Sequence, residues 1–198
     1  TGTVIILITP MVLSFASVQV LAVVLSCAGL GMLFSSLMMS VWGGPKRLIQ
    51  GVLIPELVLG IAIILAGSRP YPMLVASMVF VFTFCLPIIL SCSQAIWQRN
   101  VEPEVQGRVF AVRRMIAWST LPLAYALAGP LADRVFIPLV HPGSHLYSAL
   151  IPFLGIGSNR GIGLIFWGVG ICILITTLWA SRYSRLRQIE EQHSRQSD

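Results

Sequence analysis

Glu56 lies inside a long apolar run, directly after Pro55. It stands nine residues beyond Arg47, about 13 Å along a helix axis, within a hydrocarbon layer about 30 Å thick. An acid at that depth costs ~2.5–3.5 kcal/mol on insertion scales, so it must face a cavity or a partner. Pro55 removes one helix hydrogen bond and loosens the turn that carries the acid. Two chemistries fit: a group that exchanges protons or meets a cation, or a structural carboxyl bonded to a neighbouring helix. A second cluster comprises Lys46, Arg47, Arg99, Glu102, Glu104, Arg108, Arg113 and Arg114. Such charges can trade ion pairs with a facing surface and gate a passage. Each exposed pair is worth only ~0–1 kcal/mol, so several must act together; the plainer role is to set topology. Asp133 and Arg134 form either an outer latch or a locally satisfied interfacial pair, weakened by screening.

Metal chemistry is not expected. His141 and His145 have compatible spacing but no Cys or acid cluster around them, and Cys27, Cys85, Cys92 and Cys172 lack zinc-ligand spacing. Thiols in apolar runs serve as small hydrophobes. Gly155, Gly157, Gly161 and Gly163 lack the Lys-Ser/Thr of a phosphate loop and read as a flexible approach to the last apolar segment. No cofactor is expected.

The elements that hold these residues follow from composition. Of 198 residues, 56% are hydrophobic and 10% charged, against roughly 25% charged in soluble domains. No charge occurs from Thr1 to Pro45, and about 18 apolar residues suffice for one crossing. The runs are apolar on every face rather than alternating as barrel strands do, so helices must satisfy the backbone in lipid. The predicted fold class is an all-α membrane protein of six spans, 1–15, 20–42, 48–67, 73–97, 109–133 and 162–180, with a polar tail at 181–198 that frays. Pro10 bends the first span, and residues 16–19 turn into the second. Gly43-Gly44-Pro45-Lys46-Arg47 forms a tight loop. Gly107 permits a sharp return into the fifth span. The chain opens with Thr1 and shows neither a basic leader nor a cleavage site, which predicts a start inside a membrane helix of a longer protein.

Orientation follows from the cations near span ends. Ten Lys and Arg fall on the side of the second and fourth loops and the tail, and three (Arg69, Arg134, Arg160) on the other. The richer side, with the carboxy terminus, is assigned to the cytoplasm. Trp42, Trp97 and Trp179 sit at those span ends as interface anchors. The net charge of +6 therefore marks membrane topology, and nucleic acid is excluded as a partner for want of a basic soluble face.

Cys27, Gly31 and Ser35 recur every four residues, and Ala124 and Ala128 repeat the spacing before Gly129-Pro130. Small side chains on one stripe let helices approach closely, either as ordinary packing or as surfaces that slide. Met78, Phe80, Phe82 and Phe84 on the fourth span either line an apolar pocket or face lipid.

Three segments together resemble the carboxy-terminal half of a major facilitator superfamily transporter, in the drug-exporter branch that includes macrolide-efflux and enterobactin-export proteins. They are Trp42-Gly43-Gly44-Pro45-Lys46-Arg47, Arg99-Asn100-Val101-Glu102-Pro103-Glu104-Val105-Gln106-Gly107-Arg108-Val109-Phe110 and Ala128-Gly129-Pro130-Leu131-Ala132-Asp133-Arg134. The resemblance implies spans seven to twelve of a twelve-span fold in the plasma (inner) membrane. It also implies a missing amino-terminal six-helix half as partner, beside the lipid bilayer. The expected activity is proton-driven export of a small amphiphilic substrate by alternating access. The first span is short for that pattern. A non-transporting membrane anchor or assembly module of a biosynthetic complex is the alternative. An embedded enzyme is not expected, because no nucleophile–base pair occurs in the spans.

A reporter fused after Asp198 is expected to be active only on the cytoplasmic side. Activity outside the cell would reverse the orientation.

Overall fold

The computed structural model describes residues 2–45, 47–131 and 160–182. Six helices occur among them: α1 (Gly2–Leu13), α2 (Val18–Trp42), α3 (Leu48–Ser68), α4 (Pro72–Asn100), α5 (Pro103–Leu131) and α6 (Arg160–Arg182). No strand occurs among the described residues. Four of these helices are long and apolar enough to cross a membrane, namely α2, α3, α4 and α6 from Gly161. In their most apolar stretches only 22% of α2 residues and 39% of α6 residues are buried within the protein. Val41, Leu33, Leu37 and Ile175 face outward. Side chains of this kind need an apolar solvent, and the chain is an all-α, multi-pass membrane protein.

The helix ends follow local chemistry. Gly43 closes α2 at φ 73°, with its N–H donating to the Met39 carbonyl at 2.9 Å. Gly44 continues at φ 90°. Both lie in the left-handed region that a Cβ disfavours, which is why this loop turns so tightly. α2 begins at Val18, two residues earlier than expected, because the turn is already made by Ser14, Phe15 and Ala16 bonding back to Pro10, Met11 and Val12 carbonyls. α5 departs further from expectation. It begins at Pro103 rather than residue 109, and Gly107 lies within the helix instead of making the return. The corner falls at Val101 and Glu102. There the Gln106 amide donates to the carbonyls of Gln98 (3.0 Å) and Val101 (2.9 Å). Pro103 suits a first helical position, since its missing N–H would have had no partner anyway.

Packing orders the long helices as α2, α4, α3, α6, each against the next. α1 joins the shared core through Val4, Leu7, Ile8, Met11 and Val12. The α3–α6 seam is built on glycine. A Cβ on Gly170 would stand 2.9 Å from the Gly60 carbonyl and 2.5 Å from Ile64. One on Gly67 would stand 2.9 Å from the Gly163 carbonyl. The glycines lie seven residues apart on both helices, so antiparallel partners meet twice along one stripe. Gly161 and Gly163 are thus helical, and Gly163 is a packing position rather than a flexible approach. Across the α2–α4 seam, a Cβ on Gly31 would meet the Phe80 carbonyl and the Thr83 hydroxyl, each at 2.5 Å.

Gly170→Ala is expected to lower stability by about 1–3 kcal/mol, the usual range for overpacking. Gly168→Ala, where nothing lies within 4 Å of the added carbon, is expected to be neutral or slightly stabilising, by up to ~1 kcal/mol. Thermal unfolding in detergent separates the two, and equal melting would dissolve the seam.

Candidate functional site

Two features stand out, on opposite halves of α3. The first is a cavity of ≈ 320 Å³ between α1, α2, α3, α4 and α6. Val4, Ile5, Ile8 and Thr9 line it from α1, and Leu25 and Ala28 from α2. Ala62, Ile63 and Ala66 close it from α3, Met78, Val79, Phe82 and Thr83 from α4, and Phe166 from α6. Its wall is apolar apart from Thr9 and Thr83. The Thr83 hydroxyl is already engaged, donating to the Val79 (3.0 Å) and Phe80 (3.1 Å) carbonyls. Such a space selects a ligand by shape and grease rather than by charge. By register it lies toward the Ser68–Tyr71 end of the bundle.

Of the four α4 side chains considered for a pocket, Met78 and Phe82 line it. Phe80 and Phe84 instead stack on each other at 6.2 Å, and Phe80 meets Phe34 of α2 at 6.4 Å. The four residues cannot share one role, because helical spacing places them on different faces.

The second feature is Glu56. It is half-buried on α3, with the side chain of Thr177 on α6 as its neighbour. Thr177 is 2% exposed, and its hydroxyl also donates to the Ile173 carbonyl at 2.8 Å. Glu56 sits six residues from Ala62, about 9 Å along the helix, and is not part of the cavity wall. The pair extends the glycine stripe: Gly163, Gly170 and Thr177 are seven apart on α6. Sequence reasoning missed Thr177; the repeat of seven on α6, matched by Gly60 and Gly67 on α3, is the signal that could have found it.

The charged cluster is only partly assembled. Lys46 lies outside the described residues. Arg47 precedes the first turn of α3. Arg99, Glu102, Glu104, Arg108 and Arg114 are exposed, and among the described residues no ion pair joins them. Arg113 alone is drawn inward. Its Nη2 donates to Ser93 Oγ at 2.7 Å, and its guanidinium lies 5.2 Å from the Trp97 ring centre. That cation–π contact, worth about 0.5–1 kcal/mol at an exposed site, ties α5 to α4. Glu104 stands in the first turn of α5, where a negative charge complements the helix dipole.

In the α2 stripe, Cys27 packs against the core and Ser35 is fully buried. Among the described residues the Ser35 hydroxyl has no hydrogen-bond partner, whereas Ser26 and Ser36 return theirs to their own backbone. Ala124, Ala128, Gly129 and Pro130 belong to the backbone of α5, and their side chains lie outside the described residues. Asp133 and Arg134, His141 and His145, and the tail beyond Arg182 lie outside them altogether. Among the described residues no group of three His, Cys, Asp or Glu is placed to hold a metal.

No family model matches the chain, and no solved structure matches it. Over 112 residues it is 26% identical to macrolide efflux protein A of Streptococcus pyogenes, a stretch covering 53% of this chain and 26% of that protein. The protein of the same name from Streptococcus pyogenes serotype M6 gives the same identity and coverage. The matched stretch is thus about a quarter of the length of these curated relatives.

Proposed function

We propose that the chain is part of a secondary active exporter in the plasma (inner) membrane, moving a small amphiphilic compound outward. The observation that carries this reading is the 112-residue similarity to a macrolide efflux protein. A bundle whose greasy helices leave an apolar space between them supports it. In this reading the chain supplies six spans of a major-facilitator fold, with α1 and α5 completing the four long apolar helices. A second six-helix half closes the passage, and the carboxy terminus is cytoplasmic. Transporters of this type hold substrate near the midplane and rock their halves around it.

The roles divide along α3. The cavity receives the apolar body of the substrate against Phe82, Met78 and Phe166. Glu56 exchanges the proton whose downhill entry drives export, since an acid at membrane depth is retained for function by default. Arg47, Arg99, Glu102, Glu104, Arg108, Arg113 and Arg114, with Lys46, form the cytoplasmic gate. Among the described residues no ion pair joins their exposed members, which suits them to meeting a facing half. Asp133 and Arg134 latch the outer side, and the stripes Cys27-Gly31-Ser35 and Ala124-Ala128-Gly129-Pro130 pack helices that move against one another.

Two experiments test this division in the complete protein reconstituted into vesicles. With an imposed pH gradient, export by the unmodified protein is expected to accelerate. Glu56→Gln is expected to lose that acceleration while still binding substrate, and unchanged coupling would falsify the assignment. Ala62→Phe fills part of the cavity and is expected to weaken substrate binding at least ~10-fold, about 1.4 kcal/mol. Unaltered affinity in a folded variant places the substrate elsewhere.

A further inference from the structure

The elbow between α4 and α5 sorts its residues by depth. Gly51, near the start of α3, lies against Cys92, so α4 leaves the bundle beyond Cys92 at its Arg47 end. α5 enters at the same end, and its Val112, Met115, Ile116 and Trp118 are all exposed. A row of large apolar groups like this belongs at or within hydrocarbon. Arg113 and Arg114 stand inside that row. Trp97 of α4 marks the same level, since its ring meets the Arg113 guanidinium, and tryptophan collects at the headgroup layer. Arginines at that level lay their stems along apolar surface and keep their heads among the phosphates.

The acids of the elbow are elsewhere. Glu102 and Glu104 hold its far tip. Glu104 precedes Arg114 by ten residues, about 15 Å along the helix and beyond the ~10 Å over which charges communicate in 0.1 M salt. Among the described residues no ion pair joins Arg114, which is exposed. Arg113 is already set in place. Its Nη2 donates to Ser93 Oγ at 2.7 Å, and its guanidinium lies 5.2 Å from the Trp97 ring centre. A side chain held this way has less freedom left to lose when it binds. A guanidinium carries five N–H donors, so the bond to Ser93 leaves others for an anion. α5 packs on α1 rather than on α4, and the long Arg113 side chain spans the elbow.

We propose that Arg113 and Arg114 hold the phosphate of an anionic phospholipid at this elbow. Consecutive helix positions lie about 100° apart, so Arg113, directed to α4, and the exposed Arg114 approach one phosphate from two sides. Guanidinium matches phosphate oxygens with paired N–H bonds. Headgroups that carry their own ammonium are disfavoured, because Glu102 and Glu104 are too far away to receive it. A phosphatidylglycerol-like headgroup, with one net negative charge, fits. The site needs only the bilayer and does not depend on the transport reading. It gives Arg114 a partner in the membrane, where the gate would turn it to a facing half.

The test uses the full chain in phosphatidylcholine vesicles containing a trace of spin-labelled phosphatidylglycerol or spin-labelled phosphatidylcholine. Electron spin resonance reads the fraction of each label immobilised on the protein. Phosphatidylglycerol is expected to associate more strongly, and Arg114→Gln to lower that preference about fivefold, the usual share of one cation near the headgroups. Arg114→Lys is expected to recover part of it, since it keeps the charge and loses the planar fork. Arg47→Gln, the same charge change at the same end of the bundle, is expected to leave the preference within twofold. Arg114 is exposed, so its variants are expected to melt with the unmodified protein. A preference that survives Arg114→Gln overturns the site, as does an equal loss in Arg47→Gln, which would mark diffuse surface charge. Displacement of the labelled lipid by inorganic phosphate would assign the pair to a soluble anion and overturn it too.

Discussion

Lipid tails are as apolar as leucine, so the force that collapses soluble proteins does not hold these helices together. What remains is dispersion between closely matched surfaces, and that depends on how near two backbones can come. Glycine sets the distance here. Gly60 and Gly67 let α3 meet α6 at Gly170 and Gly163, and Gly51 lets it meet Pro45 and the Cys92 thiol. Gly31 does the same for α2 against α4. α3 is therefore clamped on two sides, with α2 held at one remove through α4. Large side chains point outward between these seams, Val41 at 91% exposure being the extreme.

The same medium makes every unpaired polar group expensive, and the chain meets this locally. Ser26, Ser36, Ser68, Thr83 and Thr176 return their hydroxyls to carbonyls of the preceding turn. Trp167 spends its indole N–H on the Ser68 hydroxyl at 3.2 Å, which adds a cross-link to the α3–α6 seam. Ser35 stands apart as a buried hydroxyl without a partner among the described residues, an omission worth roughly 1–3 kcal/mol. Glu56 differs from both: its neighbour Thr177 stands across the seam, so its surroundings depend on two helices keeping their register.

In the proposed transport reading, this arrangement separates cargo from coupling. The cavity and the acid are displaced along α3, yet both are built on that helix. A change in how α3 seats against α6 reaches Ala62, Ile63 and Ala66 without any direct contact between substrate and carboxyl. Coupling by a shared rigid element needs only that the element have two seatings.

Much of this was legible in residue order. The absence of charge before Pro45, the clustering of cations and the position of Glu56 mark the membrane and the acid, because hydrocarbon admits so few alternatives for backbone and charge. Gly43 and Gly44 announce their turn, since few other residues accept positive φ. The corner at Val101 was not legible, because it depends on where the Gln106 amide finds carbonyls, and polarity alone suggested a longer connection. Nor was the partner of Glu56. Spacing places an acid on a helix and can say that it needs company, but which neighbouring helix provides it depends on how close glycine lets the backbones come. Sequence by itself determined the solvent, the class of fold and the residue that must be satisfied. The tertiary structure alone decided that Thr177 stands beside it, and that the apolar cavity lies elsewhere, because both depend on which helix faces meet.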